Sequence, residues 1–332
     1  MIDVVELSKR YHAAHAVDRV SFAVDRGEIV GFLGPNGAGK TTTMRMLTTF
    51  LPPTSGRASL AGHDVLDDPL GVRRSVGYLP EGVPLYPEMR AREYLDFRAR
   101  LKDIPRANRR SAVDRVLERC RLLDVDRRVL GHLSKGYRQR VGLAESMLHD
   151  PDILILDEPT SGLDPIQIRE VRALIRELGD RHTILLSTHI MSEVEAVCGR
   201  VVMIVGGRVA LDEPLERLRA RSVVLVEARG PAAAIAHALR AVPGTLGVGT
   251  NPIGGDWHRF EVAVADEGAD ALREPIAAQV VRGGWGLRLL DLGRSSLEDR
   301  FVRAVQDASL RRPDDDGPGP RVENEPTAAG AA

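Results

Sequence analysis

The residues most able to do chemistry stand in one run, Gly34-Pro35-Asn36-Gly37-Ala38-Gly39-Lys40-Thr41-Thr42. Its spacing is G-x-x-x-x-G-K-[ST], in which glycines let successive backbone N–H groups turn inward around an anion. The apolar run Ile29-Val30-Gly31-Phe32-Leu33 precedes it and reads as a buried strand. The segment Thr42-Thr43-Met44-Arg45-Met46-Leu47 follows and reads as a helix, whose N-terminus adds partial positive charge. Lys40 can reach the β- and γ-phosphates of a nucleotide, and the Thr41 hydroxyl can ligate Mg²⁺. A glycine turn formed by chance would lack both flanks, so the chain reads as nucleotide-binding.

A second cluster completes the chemistry. Leu156-Asp157-Glu158-Pro159 ends the all-apolar run Ile153-Leu154-Ile155-Leu156. Ligands bind at the carboxyl ends of parallel strands. Asp157 can hold Mg²⁺ and Glu158 can reach a water in line with the γ-phosphate. Two adjacent carboxylates beside a triphosphate are costly without a cation, which favours a metal site.

The elements that must position these groups are legible as hydrophobic periodicity. Residues 2–7 alternate as an edge strand, with Tyr11 in the polar turn that follows, and residues 17–24 read as a second strand. Short strands are expected at 57–60 and 76–79, and further buried strands at 183–187 and 201–205. From about 88 to 150 the character is helical. Tyr94, Phe97 and Leu101 recur at helical spacing, as do Val113, Val116, Leu117, Cys120 and Leu123. Arg109, Arg110, Arg115, Arg119 and Arg121, mostly off that stripe, read as a solvated face, with a docking surface for a partner as the alternative. Ser134 stands where a cap belongs, ahead of a helix carrying Val141, Ala144, Met147 and Leu148. Val171, Leu174, Ile175 and Leu178 mark another amphipathic helix. Strands alternating with helices predict an α/β doubly wound fold over residues 1–218, with a helical subdomain at about 88–150. The pattern restarts over 219–308 as β-α-β-β-α-β, a small α+β domain of the split-βαβ, ferredoxin-like kind. Its last helix is expected at the capping box Ser295-Ser296-Leu297-Glu298. Residues 309–332, poor in apolar side chains, read as a disordered tail.

Composition bounds the rest. The chain has 332 residues, 43% hydrophobic and 28% charged, with formal net charge −1. That balance is globular, and no global basic field argues for nucleic acid. Cys120 and Cys198 make no disulfide or zinc framework and fit a reducing compartment. No signal-peptide core opens the chain and no apolar run approaches a membrane span.

The motifs together resemble the ATP-binding subunits of ABC transporters. They are Gly34 to Thr42, Leu133-Ser134-Lys135-Gly136-Tyr137-Arg138-Gln139-Arg140, Leu156-Asp157-Glu158-Pro159-Thr160, Ser161-Gly162-Leu163-Asp164 and Ser187-Thr188-His189, in that order. The likeness covers about the first two-thirds of the chain. Gly77-Tyr78-Leu79-Pro80-Glu81 is similar to the type-2 exporter branch, including gliding-motility and multidrug-export types, as is the C-terminal extension.

The resemblance implies roles. Tyr11 would stack on adenine. Gly34, Pro35, Asn36, Gly37, Ala38, Gly39, Lys40, Thr41 and Thr42 would cradle ATP, and Thr41, Asp157 and Glu81 would hold Mg²⁺. Glu158 would be the general base, His189 would contact the γ-phosphate, and Lys40 would complete the catalytic set. Ser134 and Gly136 would contact the γ-phosphate held by the other subunit of a head-to-tail homodimer, with Asp164 at its seam. Glu81 stands where the family usually has Gln, and Lys135 and Tyr137 replace a usual Gly and Gln. An active ATPase is expected. It would work with a separate integral membrane permease, gripped by the helical subdomain, on the cytoplasmic face of the membrane, without nucleic acid. A non-transport ABC ATPase acting on ribosomes or DNA, or an ATP-switched regulatory module, are the alternatives. The sequence does not name the transported substrate.

Overall fold

The computed structural model describes residues 1–12, 14–219, 222–264 and 270–294. The expected last helix at Ser295 and the tail from 309 lie outside the described residues. Three sheets organise the described residues.

The first sheet is antiparallel. Its strands are β1 (Ile2–Tyr11), β2 (Ala14–Val24), β4 (Ser55–Leu60) and β5 (His63–Asp64), in the order β2-β1-β4-β5. Two expectations fail here. β1 is no edge strand, because it pairs with β2 on one side and β4 on the other. Tyr11 is no turn residue but the last residue of β1, paired with Ala14.

The second sheet has six strands. They are β3 (Ile29–Leu33), β6 (Val76–Leu79), β7 (Ile153–Asp157), β8 (Thr183–Thr188), β9 (Arg200–Val205) and β10 (Arg208–Pro214). Their order is β10-β9-β3-β8-β7-β6, parallel throughout except for the β9–β10 hairpin. Its parallel strands are near-continuous apolar runs because both faces are covered. Val30, Phe32, Ile155 and Leu185 pack with the antiparallel sheet and with Met44 and Leu47 of α1 (Lys40–Leu47). Leu154, Leu156, Ile184 and Leu186 face a second core with α6 (Pro165–Gly179) and α7 (Met191–Val197). The expected α/β fold is therefore present, with α2 (Pro69–Ser75) leading into β6.

Between β6 and β7 lie the helices α3 (Ala91–Leu101), α4 (Arg106–Arg119) and α5 (Lys135–Ser146). Val113, Val116, Leu117 and Cys120 are buried as the periodicity requires, and so are Val141, Ala144, Met147 and Leu148. Leu123 is 58% exposed and Leu122 is buried instead. α4 ends at Arg119, so the helical phase does not continue to residue 123. Leu101 is likewise exposed, at the last turn of α3.

After α8 (Leu215–Arg219) comes the third sheet, with β11 (Ser222–Arg229), β12 (Thr245–Gly254), β13 (Trp257–Val264) and β14 (Gly286–Arg294). Its order is β12-β13-β11-β14, and α9 (Ala232–Arg240) and α10 (Arg273–Arg282) supply Ile235, Leu239, Ile276 and Val280 to its own core. That strand order, with every neighbouring pair antiparallel, is the ferredoxin-like topology expected of a split βαβ.

Candidate functional site

Three adjacent parallel strands end at one edge of the second sheet, and each delivers part of the site. β3 runs into the glycine loop. β8, its neighbour, ends in Ser187 and Thr188, with His189 next. β7, beyond β8, ends in Asp157, with Glu158 next. The register sets Phe32 and Asp157 on either side of Ser187. β6 adjoins β7 and carries the chain to Glu81, which is exposed.

The glycine loop closes onto α1. Gly39 is the residue before the helix, at φ +103°, and gives no side-chain cap. A Cβ there would stand 2.5 Å from the Ala16 carbonyl oxygen. Only glycine satisfies both the dihedral and the space. The first-turn amides of Lys40, Thr41 and Thr42 have no preceding helical carbonyl, which leaves donors for an anion. Lys40 curls back: its Nζ donates to the Gly34 carbonyl at 2.8 Å and the Pro35 carbonyl at 3.3 Å. It also lies 3.3 Å from Glu158 Oε1.

Glu158 is the centre of the arrangement. His189 Nδ1 lies 2.8 Å from its Oε2. Its backbone is left-handed, φ +50°, a strained conformation for a non-glycine residue. The strain is held by its own N–H, which donates to the Ser187 carbonyl at 3.1 Å and to Ser187 Oγ at 3.3 Å. Ser187 carried no role in the sequence reading. The signal was a hydroxyl at the end of an otherwise apolar strand. Its Oγ also donates to Asp157 Oδ1.

Asp157 is fully buried. Burial holds its carboxyl above the ordinary carboxylate range, against hydrogen bonds from Ser187 and Thr41 that pull it down, while the nearby Glu81 charge pushes it further up. Thr41 Oγ1 donates to Oδ1 at 3.4 Å. Oδ2 is buried and has no hydrogen-bond partner among the described residues. An orphaned carboxylate oxygen, a threonine hydroxyl and a second carboxylate form an all-oxygen donor set of the kind a hard divalent cation takes. Among the described residues no three His, Cys, Asp or Glu side chains form a closed metal cage. Mg²⁺ does not need one, since it keeps waters and substrate phosphates as ligands.

The remaining expected residues form a separate group. Ser134 caps α5 by accepting from Tyr137 N–H at 3.4 Å. Asp164 caps α6, its Oδ1 accepting from the Ile166 and Gln167 amides at 2.9 Å each. Gly136 lets the Gln167 side chain pack against it, for a Cβ there would meet Gln167 at 2.7 Å. The Lys135 ammonium occupies the space a Gly162 side chain would need. So Ser134, Lys135, Gly136, Gly162 and Asp164 meet one another around two helix starts. Tyr137 is turned away, its hydroxyl donating to Asp124 Oδ2 at 2.7 Å under the Arg140 guanidinium. Tyr11 is 46% exposed, with Lys9 Nζ 5.6 Å from its ring centre.

Comparisons with known proteins agree with this geometry. Residues 17–161 match a family model described as ABC transporter. YxlF of Bacillus subtilis, described as an ABC transporter ATP-binding protein, is 41% identical over 66% of this chain and 72% of its own length. BcrA of Bacillus licheniformis, a bacitracin transport ATP-binding protein, is 39% identical over 67% of this chain and 72% of its own. A solved ATP-binding subunit of an ABC transporter superposes with a TM-score of 0.60 at 34% identity, covering 66% of this chain and 92% of that one. The chain belongs to the ATP-binding proteins of the ABC transporter family.

Proposed function

We propose that this chain is the ATPase that powers export by a separate membrane-spanning permease, working as a homodimer on the cytoplasmic face of the membrane. The observation that carries the reading is the convergence of Lys40, Asp157, Glu158 and His189 at the ends of three neighbouring strands. ABC ATP-binding subunits work with permease partners, and among the described residues no helix is long and apolar enough to cross a membrane. BcrA is named for bacitracin transport, and a relative in Streptomyces coeruleorubidus for daunorubicin resistance, which supports a substrate moved across the membrane.

Each residue has a task in this reading. The amides of residues 37–42 and Lys40 bind the phosphates, and Pro35, Asn36 and Ala38 shape the loop around them. Lys40 trades its present carbonyl and carboxylate partners for phosphate oxygens. Thr41, Asp157 and Glu81 hold Mg²⁺, which supplies charge neutralisation along the phosphates when bound. Glu158 orients the attacking water and takes its proton at Oε1 or Oε2. His189, already hydrogen-bonded to Glu158, steadies that carboxylate and reaches towards the γ-phosphate. Tyr11 offers a ring face to adenine. Ser134, Gly136 and Asp164 lie at the helix starts that face the second copy. Closure around ATP and reopening after hydrolysis form a two-state element biased by one phosphate.

The test is purification of Glu158→Gln from native membranes in ATP and Mg²⁺. A multispanning protein recovered at one-to-one stoichiometry supports the reading. Ribosomal or DNA-repair components without any membrane protein overturn the transport part of it.

A further inference from the structure

Glu193 is a charged side chain with 1% exposure, and nothing in the chemistry above uses it. It sits in the first turn of α7, four residues past His189. Its Oε2 accepts from the Thr188 hydroxyl at 2.7 Å, and its Oε1 accepts from the Thr160 hydroxyl. Thr160 lies two residues past Glu158, and Thr188 immediately precedes His189. Both threonines are buried. One carboxylate therefore ties the segment carrying Glu158 to the segment carrying His189.

The tie extends in two directions. Thr188 Oγ1 accepts from the Ile190 amide at 3.0 Å, which folds the chain around His189. On the other side the Ser161 amide donates to the Glu158 carbonyl at 3.1 Å and the Leu163 amide to the Thr160 carbonyl at 3.1 Å. The nearest cation is Arg172 of α6, 3.8 Å from Oε1, which gives its Nη2 to Ser192 Oγ at 3.2 Å. That is too long for a hydrogen bond but within ion-pair distance, so two neutral hydroxyls give the carboxylate its hydrogen bonds and Arg172 its counter-charge. A buried charge held this way costs stability that an apolar filler would not. A buried network with both carboxylate oxygens hydrogen-bonded fixes the geometry of the segments it joins.

We infer that Glu193, through Thr160 and Thr188, is a positioning residue that holds His189 against Glu158 in the hydrolysing geometry. This rests on the roles of Glu158 and His189 proposed above. The carboxylate is buried, with one oxygen taken by each threonine hydroxyl, so it does not itself reach the reacting atoms. It fixes the two loops whose side chains do.

The experiment uses the full chain with Glu193→Gln, Thr160→Val and His189→Ala, and Glu193→Gln combined with His189→Ala. Glutamine keeps the size but presents one acceptor oxygen where the two hydroxyls need two. Expected is a fall of about tenfold or more in kcat for Glu193→Gln, with KM for ATP within about twofold, since proton-transfer and positioning effects appear in turnover. Thr160→Val should fall in the same direction. In the His189→Ala background, Glu193→Gln should add no further loss, because the clamp acts through His189. The inference is overturned if turnover per folded molecule is unchanged and only thermal stability drops, or if the two losses multiply. Wild-type turnover in His189→Ala alone overturns the reading of the site, and the inference with it. That single variant shows which of the two has failed.

Discussion

Lys40 and Glu158 form a buried ion pair, Nζ to Oε1 3.3 Å, with side chains only 6% and 7% exposed. In this state the lysine that would bind phosphate neutralises the carboxylate that would activate water. Removing either partner therefore has two consequences, one for the empty protein and one for the loaded one.

Lys40→Met should destabilise the nucleotide-free chain by about 1–3 kcal/mol, because it leaves a buried carboxylate short of a donor. The cost stays below that of a fully orphaned charge since His189 still meets Oε2 at 2.8 Å. Chemical denaturation without nucleotide measures it. The same variant should lose the rise in Tm that ATP gives the wild type. A Lys40→Met chain as stable as wild type would show that the pair is not formed in solution.

Glu158→Gln should behave in the opposite way. Turnover should fall by about 100- to 10,000-fold, the range of a lost general base, while ATP still raises Tm. Steady-state phosphate release and a thermal shift in ATP read the two effects separately. Retained turnover would remove Glu158 from the base role.

Two glycines of the phosphate loop make a paired test of its geometry. Gly39 has φ +103° and a backbone oxygen 2.5 Å from where a Cβ would sit, whereas Gly37 has φ +78° and open space. Gly37→Ala should cost about 1–2 kcal/mol of dihedral strain and keep ATP binding. Gly39→Ala should cost more and lose ATP binding, because the Ala16 strand must also move. Equilibrium binding of a fluorescent ATP analogue to the two variants decides it. Equal behaviour would mean that the close approach of Ala16 has no consequence.

The chemistry-bearing residue types were legible in the sequence because their spacing is local: Gly39, Lys40 and Thr41 are consecutive, as are Asp157 and Glu158. That they meet was expected from the carboxyl ends of parallel strands and from the family resemblance; how they meet was not legible. It depends on the strand order β3-β8-β7, which places Ser187 between the glycine loop and Asp157 across residue separations of 30 or more. Buried strands such as Ile153–Asp157 announced themselves as apolar runs. The alternation of β1 showed which face is buried but not that both its edges are paired. β10 was missed because its burial pattern alternates between exposed and half-buried, with no apolar run to mark it. Leu123 was misplaced by extending a helical period past Arg119. Glu193 carries no local sign of its role, since Thr188 ends the strand before it and Thr160 lies 33 residues away in sequence.

The last prediction concerns pH and lies away from the nucleotide. His149 follows α5, and its Nε2 meets the Val76 carbonyl of β6 at 3.1 Å while Nδ1 is buried without a partner among the described residues. Burial, with the nearby Lys102 charge, holds its pKa down from 6.5 to about 4, against the opposing pull of the Val76 carbonyl, Glu145 and Asp150. The imidazole is thus neutral in the fold, with its proton on Nε2 facing the carbonyl. In the unfolded chain it takes up a proton near pH 6.5, so between pH 6.5 and about 4 the unfolded state binds more protons than the folded one. Stability present above pH 6.5 is lost as pH falls, and the loss levels off near pH 4 at about 3 kcal/mol. Carboxylates titrate in the same window, so wild type must be compared with His149→Gln, whose amide can still donate to Val76 but does not titrate. The free-energy gap between the two proteins, from urea unfolding at about pH 7, 5.5 and 4.5, should shift in favour of the variant as pH falls. A constant gap would mean that His149 is protonated in the folded protein as easily as in the unfolded chain.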